Sequence, residues 1–337
     1  VVFCSEPAVG YKGIIAIHNT TLGPALGGTR IWNYVTEEAA VIDALRLAKG
    51  MTYKAAVTGL NLGGGKSVII GDPKMLRREM IFRAHGRFVD SLKGRYITAE
   101  DVGTSVEDMD FVQMETQHVA GIFGGSGDPS PVTAYGTYRG IKACALEKYG
   151  SDSLDGLRIA VQGTGHVGRF LCECLAAEGA QLIVTDIDQA RAHDVAAEFE
   201  ATVVAPGSIY SVEAQIFAPC ALGAIVNDET LPQFKFEIIA GAANNQLAEA
   251  RHGDELEKRD ILYAPDYVIN AGGLINVYGE LNGWSADRSR RKAAEIYDTL
   301  LQLFELAKKE GLPTYEAADR LAERRIDQVA TIQRTWV

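Results

Sequence analysis

The segment IAVQGTGHVGRF sets Gly163, Gly165 and Gly168 in a GxGxxG spacing between an apolar run and a helix-like one. Few sequence features restrict a fold more. The first glycine permits a tight strand-to-helix turn, the second admits a pyrophosphate close to backbone, and the third lets the helix lie against the strand. The helix start, from His166 and Val167, then offers unpaired N–H groups and a positive dipole end to a phosphate, with Thr164 in the turn. A second apolar run, QLIVTD, ends at Asp186, where a carboxylate can accept hydrogen bonds from ribose hydroxyls and repels a 2′-phosphate. The expected cofactor is therefore NAD rather than NADP.

The rhythm around this motif predicts a parallel sheet with crossover helices. A helix is expected over 133–149 and strands at 157–161, 201–204, 216–218, 238–240 and 268–269, followed by helices over 288–309 and 315–329. The first half reads as a separate α/β unit. It has a strand at 13–19, a glycine-rich bend TLGPALGGTR, a helix capped by Thr36 and loosened at Gly50, and two strands around the Gly63-Gly64-Gly65 turn. A helix over 74–92, a strand at 95–99 and a helix over 105–119 complete it. The turn-rich stretch Gly124–Pro131 is the expected boundary. The fold class is thus a two-domain α/β protein. Residues 1–130 form a substrate-binding, catalytic and oligomerising domain, residues 131–285 a Rossmann-type NAD-binding domain, and residues 286–337 C-terminal helices that pack back across the junction. The active-site cleft is expected between the domains.

Charge and cysteine usage exclude several classes. With 33 basic and 44 acidic side chains the net charge is −11, so no general positive field exists to collect a nucleic acid. Five scattered cysteines without a CxxC pair point to reduced thiols, a cytoplasmic setting and no metal site. The sequence has no signal-peptide pattern and no apolar run long enough for a membrane span. Because the chain opens on valine, a short preceding stretch is expected. That stretch and the strand near residues 12–18 are expected to contribute to subunit contacts.

The chemistry centres on two lysines. Lys54 and Lys66 stand twelve residues apart in apolar surroundings, where an ammonium is costly unless an anion joins it. A substrate carboxylate could. Lys66 follows three glycines, and desolvation beside a second cation would lower its pKa toward that of an acid–base group. Asp101, at a strand end, is the candidate proton partner, with capping of the following turn as its structural alternative.

The blocks TTLGPALGGTRIW, LAKGMTYKAAVTGLNLGGGKSVI, YITAEDVGTSVEDM, GDPSPVTAYGTYRGIKA, QGTGHVG, FAPCALGAIVN, IAGAANNQL and PDYVINAGGLINVYGEL run through almost the whole chain. They resemble the amino-acid dehydrogenases that include leucine, valine, phenylalanine and glutamate dehydrogenases. The resemblance implies reversible oxidative deamination of an L-amino acid to a 2-oxo acid, ammonium and NADH, by a homo-oligomer that is an octamer or a dimer. It implies that Lys54 binds the substrate carboxylate, Lys66 activates the attacking water, and Asp101 shuttles a proton and orients the amino group. Gly28 and Asn244 or Asn245 would complete the polar end of the site. The nicotinamide would lie near Thr133, Asn244 and Asn270, with Ala221 close to the cofactor.

Leu26 stands where the glutamate-specific relatives carry a lysine for the distal carboxylate, which makes glutamate a poor substrate. Met51, Leu26, Leu274 and Val277 would line an apolar pocket. Leucine-type relatives tend to carry valine where Leu274 stands, and GLINVY resembles tryptophan-active relatives. Branched aliphatic substrates are favoured, with phenylalanine or another aromatic amino acid as the alternative. A methylene discriminates by only about 1–3 kcal/mol, so the choice stays open. Two other classes fit these residues less well. A non-catalytic NAD-binding sensor would leave the lysine and aspartate cluster vestigial. A 2-hydroxy-acid dehydrogenase would need a histidine–carboxylate pair that none of the six histidines offers.

Overall fold

Alternating apolar residues in the first hundred positions build a five-stranded sheet in a computed structural model that describes residues 1–74, 77–123, 125, 127–221 and 223–332. Its strands are β1 (Val2–Glu6), β2 (Tyr11–Asn19), β3 (Ala25–Trp32), β4 (Gly63–Ile70) and β5 (Tyr96–Glu100), in spatial order β1-β2-β4-β3-β5. β2 is antiparallel to β1 and β4, whereas β3 lies parallel to both β4 and β5. Helix α1 (Glu37–Val57) covers one face, and α2 (Arg78–Ser91) and α3 (Val106–Gln113) belong to the core on the other.

Helix ends follow local chemistry. Thr36 caps α1 by accepting from the Ala39 N–H, and Ser105 and Asp108 form a reciprocal capping box on α3. Several expectations change. The segment expected as the TLGPALGGTR bend is strand from Ala25 onward, because its glycines serve close strand approach: a Cβ on Gly27 would stand 1.7 Å from the Gly65 carbonyl oxygen. The Gly63-Gly64-Gly65 run likewise lies inside β4 instead of forming a turn. Gly50 does not end α1, and residues 55–57, expected as strand, belong to its last turn. The buried stripe of α1 holds Ala40, Ala44 and Ala48, small enough for close helix-on-sheet packing, while Ile42 and Leu45 are exposed.

The second sheet is six-stranded and wholly parallel. It comprises β6 (Arg158–Gln162), β7 (Gln181–Thr185), β8 (Thr202–Val203), β9 (Ile216–Pro219), β10 (Ile238–Ile239) and β11 (Leu262–Tyr263), ordered β11-β10-β9-β6-β7-β8. Helix α4 (Ser130–Tyr149) precedes it, α5 (His166–Ala177) follows β6, and α6 (Gln189–Phe199) follows β7. Order reversal beside β6 makes its carboxyl end a topological switch point, the usual place for a ligand in such sheets. Val268 and Ile269, expected as strand, lie in the short helix Asp266–Ile269, directly behind Pro265. The expected helix 288–309 breaks into Ala286–Ala294 and Ile296–Glu310. Gly124 and Ser126 of the expected boundary lie outside the described residues.

The chain forms two compact units. One holds Val1–Gly127, Val277–Trp284 and the described residues from Ala322 on; the other holds Asp128–Asn276 and Ser285–Leu321. Both are therefore discontinuous in sequence, unlike the contiguous partition at 130 and 285.

Inside the first unit, the α2 side of the sheet carries a buried polar network. His85, fully buried, bonds the Tyr11 hydroxyl through Nδ1 (2.8 Å) and Thr29 Oγ1 through Nε2 (2.9 Å). Thr29 Oγ1 also meets Ser67 Oγ at 2.7 Å and Thr98 Oγ1 at 2.5 Å, which joins β3, β4 and β5 beneath the sheet. Burial lowers the His85 pKa from the usual 6.5 to about 3. An imidazole held neutral in the fold and free to charge when unfolded weakens the fold as pH falls from about 6.5 toward 3, by up to about 1.4 kcal/mol per pH unit. His85→Gln should flatten the fall of the urea midpoint between about pH 6.5 and pH 4. An unchanged slope would remove His85 from the acid response.

Candidate active site and cofactor site

β4 points Lys66 to the α1 side of the sheet and Ser67 to the network side, since successive strand residues alternate. Lys66 is only 5% exposed, and its Nζ donates to Asp101 Oδ2 at 2.5 Å. Asp101 sits just beyond β5, where its N–H donates to Thr104 Oγ1 and its carbonyl accepts from the Thr104 N–H. Desolvation lowers the Lys66 pKa even though the Asp101 charge opposes the shift. Burial works in the other direction on Asp101, but Lys66 and Arg30 outweigh it and hold the carboxylate below its ordinary value. An amine that releases its proton more readily than usual beside a fixed carboxylate is suited to acid–base work.

The other residues expected in this region divide by element. Leu26, 3% exposed, pairs in register with Gly64 across β3 and β4. Gly28 lies beside Asp101: a Cβ there would come within 2.6 Å of the Glu100 carbonyl oxygen and 2.7 Å of Asp101 Cβ. A Cβ on Gly64 would stand 2.1 Å from the Thr52 N, so α1 and β4 touch backbone to backbone. Lys54 and Lys66 each follow that contact by two residues, on α1 and β4 respectively. Met51 is half-buried on α1, and Val277 belongs to the segment Val277–Trp284 of this unit.

Two polar sets were missed in the sequence. Arg30 Nε donates to Asp101 Oδ2 (3.1 Å) and Arg30 Nη1 to Asp43 Oδ2 (2.9 Å), while the Tyr34 hydroxyl donates to the same Asp43 oxygen at 2.6 Å. The GGTR segment carried the signal, because two residues along a strand from Gly28 is the same sheet face. The His85 network gave no local signal, since its members are 74 and 56 positions apart.

In the second unit, β6 turns into α5 through the GxGxxG loop. Gly163 takes a φ of 95°, its N–H donates to the Thr185 carbonyl at 2.8 Å, and a Cβ there would lie 2.7 Å from Ala221 Cβ. A Cβ on Gly168 would stand 1.9 Å from the Gly163 carbonyl oxygen, which explains the third glycine. Gly165 caps α5 without a side-chain bond, and a Cβ there would meet nothing within 4 Å. Val167 continues the first turn, and the His166 side chain is 85% exposed, 3.5 Å from Asp128. Asp186 Oδ2 accepts from the Thr164 N–H (2.7 Å) and hydroxyl, and Oδ1 accepts from the Asp188 N–H (2.9 Å). Burial resists its charge, but the Asp188 and Thr164 N–H groups prevail and keep it below the ordinary value.

Farther along the same unit, Asn270 Nδ2 donates to Asn244 Oδ1 at 2.8 Å and to the Ala242 carbonyl at 3.1 Å. Asn270 Oδ1 is buried with no partner, an acceptor awaiting an N–H such as a carboxamide supplies. Asn245 is held left-handed at φ 51°, with its carbonyl accepting from the Ala224 N–H. Thr133 lies on α4, where Gly272 and Gly273 approach it, and Leu274 is 7% exposed. The open α5 terminus, the fixed Asp186 anion and the orphaned Asn270 oxygen fit a dinucleotide. Among the described residues, no three His, Cys, Asp or Glu side chains are placed to hold a metal ion.

A mixed five-stranded sheet with a buried lysine–aspartate pair and a parallel Rossmann-like sheet form a two-domain α/β architecture consistent with the amino-acid dehydrogenase class. Residues 2–118 match the Glu/Leu/Phe/Val dehydrogenase dimerisation domain, and residues 183–333 match the Glutamate/Leucine/Phenylalanine/Valine dehydrogenase domain. The chain is 59% identical to a leucine dehydrogenase of Bacillus cereus, covering 100% of this chain and 93% of that protein. It is 48% identical to a phenylalanine dehydrogenase of Bacillus thermotolerans, over 97% of this chain and 87% of that one. The crystal structure of L-tryptophan dehydrogenase from Nostoc punctiforme superimposes with a TM-score of 0.90 at 50% identity, covering 98% and 96% of the two chains. The chain belongs to the Glu/Leu/Phe/Val amino-acid dehydrogenase family and is an NAD-dependent oxidoreductase that oxidatively deaminates an amino acid.

Gly28→Ala should force Asp101 away from Lys66. A misplacement near 1 Å is worth about 10²-fold in rate, so kcat should fall by about that factor with NADH affinity intact. A variant with unaltered kcat would show that Asp101 need not be held there.

Proposed function

We propose that the enzyme acts on branched aliphatic L-amino acids, leucine, valine and isoleucine, converting them reversibly to 2-oxo acids and ammonium. The carrying observation is the buried Lys66–Asp101 pair on a sheet face shared with the apolar Leu26. NAD, when bound, supplies the hydride acceptor. Lys54 binds the substrate α-carboxylate by charge, with Gly28 leaving room beside it. Asp101 orients the amino group and moves its proton, and Lys66 in its neutral form takes a proton from the water that attacks the imino acid.

Met51, Leu274 and Val277 supply the remaining apolar lining, and Leu26 offers no cation to a distal carboxylate. In the second domain, Gly163, Thr164, Gly165, His166, Val167 and Gly168 cradle the pyrophosphate, and Asp186 takes the ribose hydroxyls. Thr133, Ala221, Asn244 and Asn270 form the nicotinamide end, where the buried Asn270 Oδ1 would accept from the carboxamide, and Asn244 or Asn245 completes the polar end of the substrate site. The unit of Val1–Gly127, Val277–Trp284 and the described residues from Ala322 binds substrate and joins subunits, and the unit of Asp128–Asn276 and Ser285–Leu321 binds NAD. The enzyme is a cytoplasmic homo-oligomer, an octamer or a dimer. No described helix is long and apolar enough to cross a membrane.

The aromatic alternative rests on the 48% identity to a phenylalanine enzyme and on Leu274. With NAD, kcat/KM should rank leucine above phenylalanine and leave glutamate last by 10²-fold or more, since an unpaired carboxylate in an apolar site costs several kcal/mol. A clear phenylalanine preference would reverse the assignment. Lys66→Ala should abolish turnover while NADH still binds; retained turnover would remove Lys66 from the chemistry.

A further inference from the structure

Asp101 Oδ2 accepts two charged donors at once, Lys66 Nζ at 2.5 Å and Arg30 Nε at 3.1 Å. Arg30 is itself fixed, because Nη1 reaches Asp43 Oδ2 at 2.9 Å. Asp43 in turn accepts from the Tyr34 hydroxyl (2.6 Å) and from Arg46 Nη2 (3.2 Å). The guanidinium and both carboxylates are largely enclosed, at 21% exposure for Arg30, 24% for Asp101 and 16% for Asp43. A four-residue chain thus runs Lys66, Asp101, Arg30, Asp43, alternating in charge.

The alternation matters when Lys66 gives up its proton. Without Arg30, neutral Lys66 would leave Asp101 a buried anion with no cation, and the proton would be shared with the carboxylate. Arginine does not titrate, so its charge stays beside Asp101 in either state of Lys66. We propose that Arg30 is a positioning residue for this reaction: anchored by Asp43, it holds Asp101 in place and keeps it anionic while Lys66 cycles between charged and neutral. The proposal rests on the assignment of Lys66 and Asp101 as the acid–base pair.

The charged and titratable groups around the pair are Arg30 and Tyr34 from β3 and the residues after it, and Asp43 and Arg46 from α1. Tyr96 and Glu100 come from β5, and Asp108 from α3. Arg30 repels the Lys66 ammonium, whereas Asp43 supports it. Removing the arginine therefore raises the pH at which Lys66 becomes neutral, and removing the Asp43 charge lowers it. These opposite signs separate an electrostatic role from loss of fold.

The test is the pH dependence of kcat/KM with NAD and the better of leucine or phenylalanine, for wild type, Arg30→Gln, Arg30→Lys and Asp43→Asn. In Arg30→Gln the acidic limb should move up by about one pH unit and kcat should drop about 10²-fold, with NADH affinity unchanged. Arg30→Lys should bring the limb back toward wild type with a smaller loss of kcat, and Asp43→Asn should move the limb down. Unmoved limbs in all three, or equal losses in the glutamine and lysine variants, would overturn the proposal. If Arg30→Gln does not fold, the lysine and Asp43 variants still carry the two signs. A dead Lys66→Ala beside unmoved limbs condemns only Arg30; an active Lys66→Ala condemns the acid–base assignment itself.

Discussion

An ammonium group buried as deeply as that of Lys66 has one economical partner, a carboxylate brought to it by the fold, and the mixed sheet of the first domain is arranged around that need. β4 and β3 run parallel, as do β3 and β5, so the end of β5 delivers Asp101 next to Gly28 and opposite Lys66. Glycines at 27, 28 and 64 let these backbones and α1 close up, since a side chain there would collide with a carbonyl or amide, and one on Gly65 would meet the Tyr96 ring. On the far face, Thr29 Oγ1 bonds Ser67 and Thr98 and so joins the same three strands, and it also meets His85. One strand, β4, therefore carries the buried Lys66 and the network residue Ser67 at adjacent positions.

The dinucleotide domain solves a different electrostatic problem. Helix α5 begins without a side-chain cap, and the charge of Asp186 is fixed in advance by N–H groups of its own loops. An acceptor oriented beforehand needs no rearrangement to receive its ligand. Local attraction at such a point is compatible with a strongly negative chain, because a helix end acts over a short distance.

Much of this was legible in the sequence where chemistry permits few substitutes. The phosphate loop, Asp186 and the Lys66–Asp101 pair could be read because each residue type has a specific task. The strand and bend around Gly27 and Gly28 could not, since glycine spacing fits a turn or a crowded strand equally well. The AAV run after Lys54 served a helix although it resembled a strand, and the alanine stripe of α1 was hidden by larger apolar residues that face outward. Arg30 and His85 acquire their meaning from partners on other strands, and only the assembled sheet reveals them.

The interleaved division of the chain also bears on how it is made. The first domain draws on Val277–Trp284 and on residues from Ala322, where Glu323 accepts from the Tyr53 hydroxyl at 2.8 Å, and Glu280 accepts from the Gly121 N–H at 2.9 Å. The residues from Ala322 are made only after Ser285–Leu321, the last segment of the second unit, whereas Val277–Trp284 precedes that segment. The first unit is thus completed only after every segment of the second, and the Lys66–Asp101 pair waits in an unfinished unit while its neighbour can already fold.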